Sequence, residues 1–308
     1  MTKSFLIATA LFYAHLSWGQ SSATLSSPAS TNESHTTLND VLGNKKFEDN
    51  TDITDAKLKA DMGSLSRYSL KFSLVYLGPG ITDLSNPSQP NPDPIPCVCD
   101  TSFGGSISTR YRIDGKSTIG VGTGLSALTP LQGAKRYDVK NPFISYDSSS
   151  KVQDIQVRNS ISLSAVTNVT YRNVAETSGI GLDNSLVYDL GLSRIAIGID
   201  SSLSYYLFER GYDKLDRETT RYSLSFYPTT KYNFSDRLNV TTSLALGFYN
   251  PRKSDDSLIL KNKTLSQRLG VGYAFTRDIY LNPYLNFYPG QFNTDTTTIN
   301  VSTTFSVL

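Results

Sequence analysis

Residues 155–172 read IQVRNSISLSAVTNVTYR and show a pattern that recurs through most of the chain. Apolar and polar residues alternate, so an extended strand would carry them on opposite faces. The apolar face holds Ile155, Val157, Ile161, Leu163, Ala165, Val169 and Tyr171. The polar face holds Gln156, Arg158, Ser160, Ser162, Ser164, Asn168, Thr170 and Arg172. The stretch therefore predicts one long amphipathic β-strand.

The same period of two continues from residue 66 to residue 308, with polar faces rich in Ser, Thr, Gly, Asn and Arg. It predicts about twelve strands, at 66–77, 103–113, 117–128, 136–147, 153–172, 178–190, 194–208, 219–234, 238–249, 264–276, 279–290 and 296–308. The fourth is interrupted by Asn141-Pro142, and proline cannot donate to a ladder. We predict it because tight and long connections then alternate along the whole chain, with short turns on one side of the sheet.

The N-terminal 65 residues show a different pattern. Residues 1–19 combine Lys3, an apolar run and small residues around a cleavage point, which predicts a removed signal peptide, the alternative being a membrane anchor. We predict a flexible N-terminal segment over 20–65, Ser- and Thr-rich at first, with a short helix within Asp52 to Met62. This segment would either hang in the periplasm or fold into a lumen as a plug.

Alternation alone also fits a soluble β-sandwich, so other features must decide. The predicted runs are longer than the roughly 5–6 residues of globular strands and match a tilted membrane span. The chain also ends within a strand, which a closed barrel would pair with the first strand. Aromatic residues cluster near the ends of the apolar faces, as an interfacial girdle requires: Tyr68, Tyr76, Tyr111, Tyr171, Tyr188, Tyr232, Phe234, Phe275 and Phe287.

With its signal peptide, its amphipathic hairpins over 66–308 and its terminal strand INVSTTFSVL (299–308), the sequence resembles bacterial outer-membrane β-barrel proteins of the porin type. The resemblance implies an all-β fold, a closed antiparallel transmembrane β-barrel after a short, partly helical or disordered segment. It also implies outer-membrane lipid and the barrel-assembly machinery as partners. The sequence departs from the usual pattern because Leu308 stands where such proteins usually end in an aromatic residue.

Composition and motifs argue against an enzyme. The 29 basic and 27 acidic residues nearly balance, so no overall charge attracts nucleic acid. Barrel enzymes that resemble this chain use a catalytic histidine, whereas its two histidines, His15 and His35, precede the predicted strands. Cys97 and Cys99 alone do not complete a metal site, so we expect no metal, cofactor or catalytic residue.

Charged residues on the polar faces would line the lumen, with cations in excess. The predicted pore-lining set is Lys71, Arg110, Arg112, Arg158, Arg172, Arg221, Lys231, Arg268, Asp183, Asp189 and Asp200. An excess of positive charge in a narrow lumen favours anions, which predicts a narrow channel for small, anionic solutes. The alternative is that these cations pair with aspartates or with the N-terminal segment and seal the barrel. The protein would then be a structural or surface-interaction barrel acting through loops such as the Pro-rich 78–102.

Overall fold

The computed structural model describes residues 46–85, 91–92, 100–131, 133, 136–191, 193–210, 219–253, 256–290 and 292–307. The predicted signal peptide, both histidines, both cysteines and most of the Pro-rich stretch lie outside these residues. Among the described residues, no helix is long and apolar enough to cross a membrane.

The strands form one closed antiparallel barrel in which each strand pairs with its neighbours in sequence and β1 pairs with β12. The strands are β1 Tyr68–Gly80, β2 Ser102–Arg112, β3 Ser117–Leu128, β4 Arg136–Val152, β5 Ile155–Ala165, β6 Glu176–Asp189, β7 Ile195–Phe208, β8 Thr220–Asn233, β9 Leu238–Pro251, β10 Lys261–Thr276, β11 Ile279–Phe287 and β12 Thr298–Val307. The described residues also contain two short helices, α1 (Ala56–Met62) and α2 (Val169–Arg172), and a 3-10 turn at Ile81–Asp83. The predicted twelve-strand barrel is confirmed.

Closure joins the first and last strands through matched side chains as well as through backbone hydrogen bonds. Phe72 on β1 lies opposite Phe305 on β12, and their rings stack with centroids 4.6 Å apart. Closure leaves no strand edge unpaired, which a barrel needs in hydrocarbon, where no water can bond to free N–H and C=O groups.

The two faces of the barrel wall have opposite chemistry. Apolar side chains such as Ile144, Leu163 and Val271 point outward and are 43–51% exposed in the isolated chain. Ser, Gly, Asn and charged residues of the same strands point inward. An apolar exterior around a polar interior is the arrangement that a lipid bilayer requires.

Strand β4 is present although Asn141-Pro142 lies within it. The β3–β4 register shifts between Thr123 and Leu125, and Pro142 lies opposite Thr123 just before the shift. The Thr123 hydroxyl donates to the Lys140 carbonyl in this irregular stretch. The bulge thus accommodates the proline, and the prediction that rested on the alternation of turns and loops is correct.

The prediction that one strand spans 153–172 is wrong at its C-terminal end. Strand β5 stops at Ala165, and residues 169–172 form α2. The side-chain oxygen of Asn141 accepts hydrogen bonds from the backbone N–H groups of Thr167, at 2.9 Å, and Asn168, at 3.4 Å. These bonds draw the chain away from the ladder, so Arg172 lies on a helix and not on the lumen face of a strand.

All the tight turns lie at one end of the barrel, which we call the turn end, and the long connections lie at the other, the loop end. In the first tight turn the Asp114 carboxylate accepts from the backbone N–H of Lys116 at 2.7 Å, as in an Asx turn. Strand β1 begins and β12 ends at the turn end. In outer-membrane barrels the short turns face the periplasm.

Candidate functional site in the barrel lumen

The lumen wall is built mainly from small polar residues. Glycines let neighbouring strands approach closely at several points: a Cβ atom at Gly122 would lie 2.3 Å from the Ile107 carbonyl oxygen. Gly120 and Gly124 also face the lumen from β3.

Residues 46–65, which we call the lumen segment, lie inside the barrel at its turn end. Lys46 bridges to Ser66, and the Phe47 N–H donates to the Leu65 carbonyl, so the segment forms a closed loop. Its centre is α1, which begins after Asp55, whose carboxylate accepts from the Leu58 N–H at 3.0 Å. Such an N-cap satisfies a backbone donor that a helix start leaves free.

One apolar side of the lumen segment packs against the wall. Ile53 and Leu58, each at most 2% exposed, form a cluster with Val187 of β6 and Ala196 of β7. On the other side of the lumen, Ala60 packs against Ala274 of β10 and Tyr280 of β11. The clusters are small, so apolar burial alone holds the segment weakly.

Ion pairs provide the second set of contacts. Lys57 lies 2.6 Å from the Asp200 carboxylate of β7. Asp55 pairs with Lys231 of β8, and the side chains of this second pair are each 8% exposed. Burial by itself would raise the pKa of Asp55, but the Lys231 ammonium holds it below its usual value. The Asp200 carboxylate raises the pKa of Lys57. Asp55 and Lys57 are therefore both charged at neutral pH.

The carbonyl groups at the end of α1 accept from cations of the wall. Arg110 donates to the Met62 carbonyl at 2.7 Å, and Arg112 donates to the same oxygen at 2.8 Å. Lys71 donates to the Asp61 carbonyl, and Arg277 donates to the Gly63 carbonyl at 2.6 Å. A helix end leaves carbonyl oxygens without partners, and here cations satisfy them.

Gly63 is required where the helix ends. Its φ of +71° lies in the left-handed region, and a Cβ atom there would meet Nη1 of Arg110 at 2.5 Å. A side chain at this position would therefore both strain the backbone and displace the arginine.

Asp147 links two wall arginines in a buried cluster. Its carboxylate accepts from Arg110 at 3.1 Å and also from Arg158, and its side chain is 6% exposed. Arg110 is thus shared between this carboxylate and the lumen segment, so the wall cluster and the segment are connected.

A cavity of about 370 Å³ lies on the loop side of α1. Lys57 and Asp61 of α1 contribute to its floor, and polar residues of β5–β12 line its walls. Its charged wall residues include Arg158, Asp183 and Arg268. Arg268 projects over the rings of Tyr227 and Tyr284, with its guanidinium carbon 5.0 and 5.4 Å from their centroids.

The predicted pore-lining residues fall into four groups. Those that contact the lumen segment are Lys71, Arg110, Arg112, Lys231, Asp189 and Asp200. Those that line the cavity without such a contact are Arg158, Arg268 and Asp183. Arg221 donates to the Arg252 carbonyl near the loop end. Arg172 alone leaves the barrel wall, for the reason given above.

Several residues of the site were not predicted as pore-lining. Asp147 belongs to a predicted strand, but the irregularity at Asn141-Pro142 obscures which face it occupies. Arg277 lies in a tight turn, where period-two reasoning assigns no face. Asp55 and Lys57 act on the lumen only because the segment folds inward, which no local pattern reports.

No protein-family model and no curated protein matches the sequence. The structure is similar to that of the COG4313 outer membrane channel from Pseudomonas putida F1, at a TM-score of 0.50 and 11% identity, over 80% of this chain and 98% of that one. The NanC porin aligns at a TM-score of 0.42 and 9% identity, over 78% and 100% of the two chains. OmpF of Salmonella typhi, in complex with daunomycin, aligns at 0.34 and 7%, over 78% and 97%.

The fold is therefore that of a porin-like outer-membrane β-barrel. The closed wall, the apolar exterior and the polar lumen are those of a β-barrel that spans a lipid bilayer.

Proposed function

We propose that the protein is an outer-membrane channel for small solutes and that the lumen segment is a plug closing its turn end. The observation that supports the plug is the kind of contact that the segment makes with the wall. Polar contacts join it to the wall on strands β1, β2, β5, β7, β8 and β12, whereas its apolar clusters are small. Water and solute groups can replace polar contacts of this kind, so the segment can leave without disrupting the barrel wall.

The same contacts support a preference for anions once the plug leaves. Lys231 would lose its carboxylate partner, and Lys71 and Arg112 would lose the segment carbonyl oxygens that they bind, whereas Arg110 would keep Asp147. These three cations would be released against one carboxylate, Asp200, which would lose Lys57, and such an excess of positive charge raises the local concentration of anions.

Conductance measurements test the channel and the plug together. The mature protein and a variant lacking residues 20–65 are reconstituted into planar bilayers, and the variant is expected to conduct at least several times more. A cross-link provides the converse test: in a C97S/C99S background, A60C and A274C place thiols on contacting elements of plug and wall. Oxidation should lower the conductance and reduction should restore it.

Selectivity is tested in the open variant with a KCl gradient. Replacing Lys71 and Lys231 by Gln should move the reversal potential toward cations, because both side chains lose their charge without a large change in volume. Arg172→Gln is the matched control, since Arg172 lies on α2 outside the lumen wall. A reversal potential that is equal in all three proteins contradicts the anion preference.

The second candidate is a closed barrel that acts through its external loops. The buried Arg110–Asp147–Arg158 cluster favours it, because this cluster narrows the lumen independently of the plug. If the variant lacking 20–65 folds but does not conduct, the channel proposal fails and this reading replaces it. Recognition of β12 by the barrel-assembly machinery is proposed in either case.

A further inference from the structure

The cavity above α1 contains polar atoms that lack partners. Among the described residues, Nε of Arg268 and Oδ1 of Asn282 are buried and form no hydrogen bond. Both residues line the cavity. Both atoms are inaccessible from the cavity, so a solute there would meet the rest of the Arg268 guanidinium and not these two atoms.

Arg268 differs from the other cations of this cavity in its surroundings. Lys57, Lys231 and Arg158 each pair with a carboxylate, of Asp200, Asp55 and Asp147 respectively. Within the described part of the chain, Arg268 forms no ion pair, and its guanidinium carbon lies over the rings of Tyr227 and Tyr284. Contacts with ring faces do not use the N–H donors of the guanidinium, and such donors can bind a carboxylate.

The opposite wall carries an acceptor in place of a donor. Asp183 of β6 lines the same cavity and has no ion-pair partner among the described residues. Its carboxylate can accept hydrogen bonds from hydroxyl groups. The volume of about 370 Å³ is near the lower end of the roughly 300–1,000 Å³ typical of ligand pockets, so the occupant is small.

From this arrangement we infer that Arg268, Tyr227, Tyr284 and Asp183 form a binding site for a small hydroxylated carboxylate. The guanidinium of Arg268 binds the carboxylate, the tyrosine rings flank the carbon chain, and Asp183 accepts from the hydroxyl groups. The inference rests on the proposed channel function, since the site would hold the solute above the plug.

Equilibrium binding tests the site without requiring conduction. Gluconate is titrated into the purified full-length protein in detergent, and calorimetry reports the Kd. Glucose, which has the hydroxyl groups without the carboxylate, and acetate, which has the carboxylate without the hydroxyl groups, are titrated in parallel. Gluconate should bind at least tenfold more tightly than either.

Two arginine variants give the matched comparison. Arg268→Gln should weaken gluconate binding at least tenfold, and Arg268→Lys should weaken it less, because the charge remains but the planar group is lost. Arg221→Gln, which removes an inward arginine near the loop end, should leave the Kd within twofold of wild type. Circular dichroism and heat-dependent gel mobility confirm that each variant is folded.

The outcomes separate this site from the channel. If the wild-type protein does not bind gluconate, or if Arg268→Gln binds it as tightly as wild type, the site is wrong whether or not the barrel conducts. If gluconate binds through Arg268 but no variant conducts, the site stands and the channel proposal fails. Tighter binding of alanine than of gluconate would also overturn the inference, because it would assign the acceptors to an ammonium group.

Discussion

The turn-end half and the loop-end half of the lumen are enclosed by the same strands but are filled in opposite ways. At the turn end, cations of the wall meet carbonyl oxygens and carboxylates of the lumen segment, and Asp147 joins two arginines. Toward the loop end, the cavity leaves Arg268 over two aromatic rings and Asp183 exposed. An inward cation therefore helps to close the barrel where an anionic or carbonyl group faces it, and it is available to a solute where no such group does.

The largest expected effect is a loss of stability from a substitution in the turn-end half of the lumen. Asp147→Ala removes the shared acceptor of Arg110 and Arg158, leaving two buried guanidinium groups without their carboxylate. Loss of one partner from a buried pair typically costs about 3–5 kcal/mol. We expect a loss of about 3 kcal/mol or more in the free energy of unfolding, measured by urea titration of protein in lipid vesicles.

Asp183→Ala is the control for that prediction, since Asp183 is exposed to the cavity and has no ion pair among the described residues. It should not change the unfolding midpoint measurably. Equal losses of unfolding free energy in the two variants would show that the charges of the turn-end half are no more tightly paired than those of the loop-end half.

The next effect opens the turn end without disrupting the wall. Asp55→Ala removes both the N-cap of α1 and the partner of Lys231. Loss of an N-cap alone costs about 0.5–2 kcal/mol, and about 1.4 kcal/mol is a tenfold change in an equilibrium. We expect the open fraction in single-channel records to rise about tenfold or more.

Asp52→Ala supplies the comparison within the same segment. Asp52 pairs with Lys116 at 3.3 Å, but the two side chains are 46% and 57% exposed. Exposed pairs contribute little, so the open fraction should stay near the wild-type value. If Asp52→Ala opens the channel as much as Asp55→Ala, the buried contacts are not what retains the plug.

A smaller effect follows from pH. The pKa of Asp55 is lowered, so its contribution to plug retention is present above the ordinary value of 3.8 and is lost as the pH falls through the lowered value. The pKa of Lys57 is raised, so its contribution is present below 10.5 and is lost only as the pH rises above that. Asp55 and Lys57 therefore add no change in conductance between about pH 5 and 9, and conductance should rise in strong acid as Asp55 is protonated. Conductance that stays unchanged in strong acid would contradict the role of Asp55 in retaining the plug.

The smallest effect concerns the loop-end half alone. Asp183→Asn removes one negative charge from the cavity wall while leaving the plug contacts in place. The reversal potential of the open variant in a KCl gradient should shift slightly toward anions. A shift toward cations would mean that Asp183 does not face the permeation path.

Strand reasoning predicted most of the barrel because its alternation is local. A side chain two residues along a strand returns to the same face, so β1 to β12 could be assigned without tertiary information. Residues 166–172 were predicted as strand because Val169 and Tyr171 also keep the period of two. That prediction failed because Asn141, from a neighbouring strand, supplies the hydrogen bonds that end β5.

The lumen residues were harder to interpret than the strands. The alternation indicated that Arg110, Arg158 and Lys231 share the polar face, and the structure brings them into one lumen. It could not indicate that Asp55 and Asp147 would meet them, because these carboxylates lie far away in sequence or beyond an irregularity.

By itself, the sequence determined a wall with one apolar and one polar face, because side-chain direction in a strand depends only on whether the position is odd or even. Only the tertiary structure decided which inner charges have partners, where the lumen segment lies, and which arginine remains open to a solute. Those properties depend on groups that the curvature of the barrel brings together from distant strands, and no spacing along the chain encodes them.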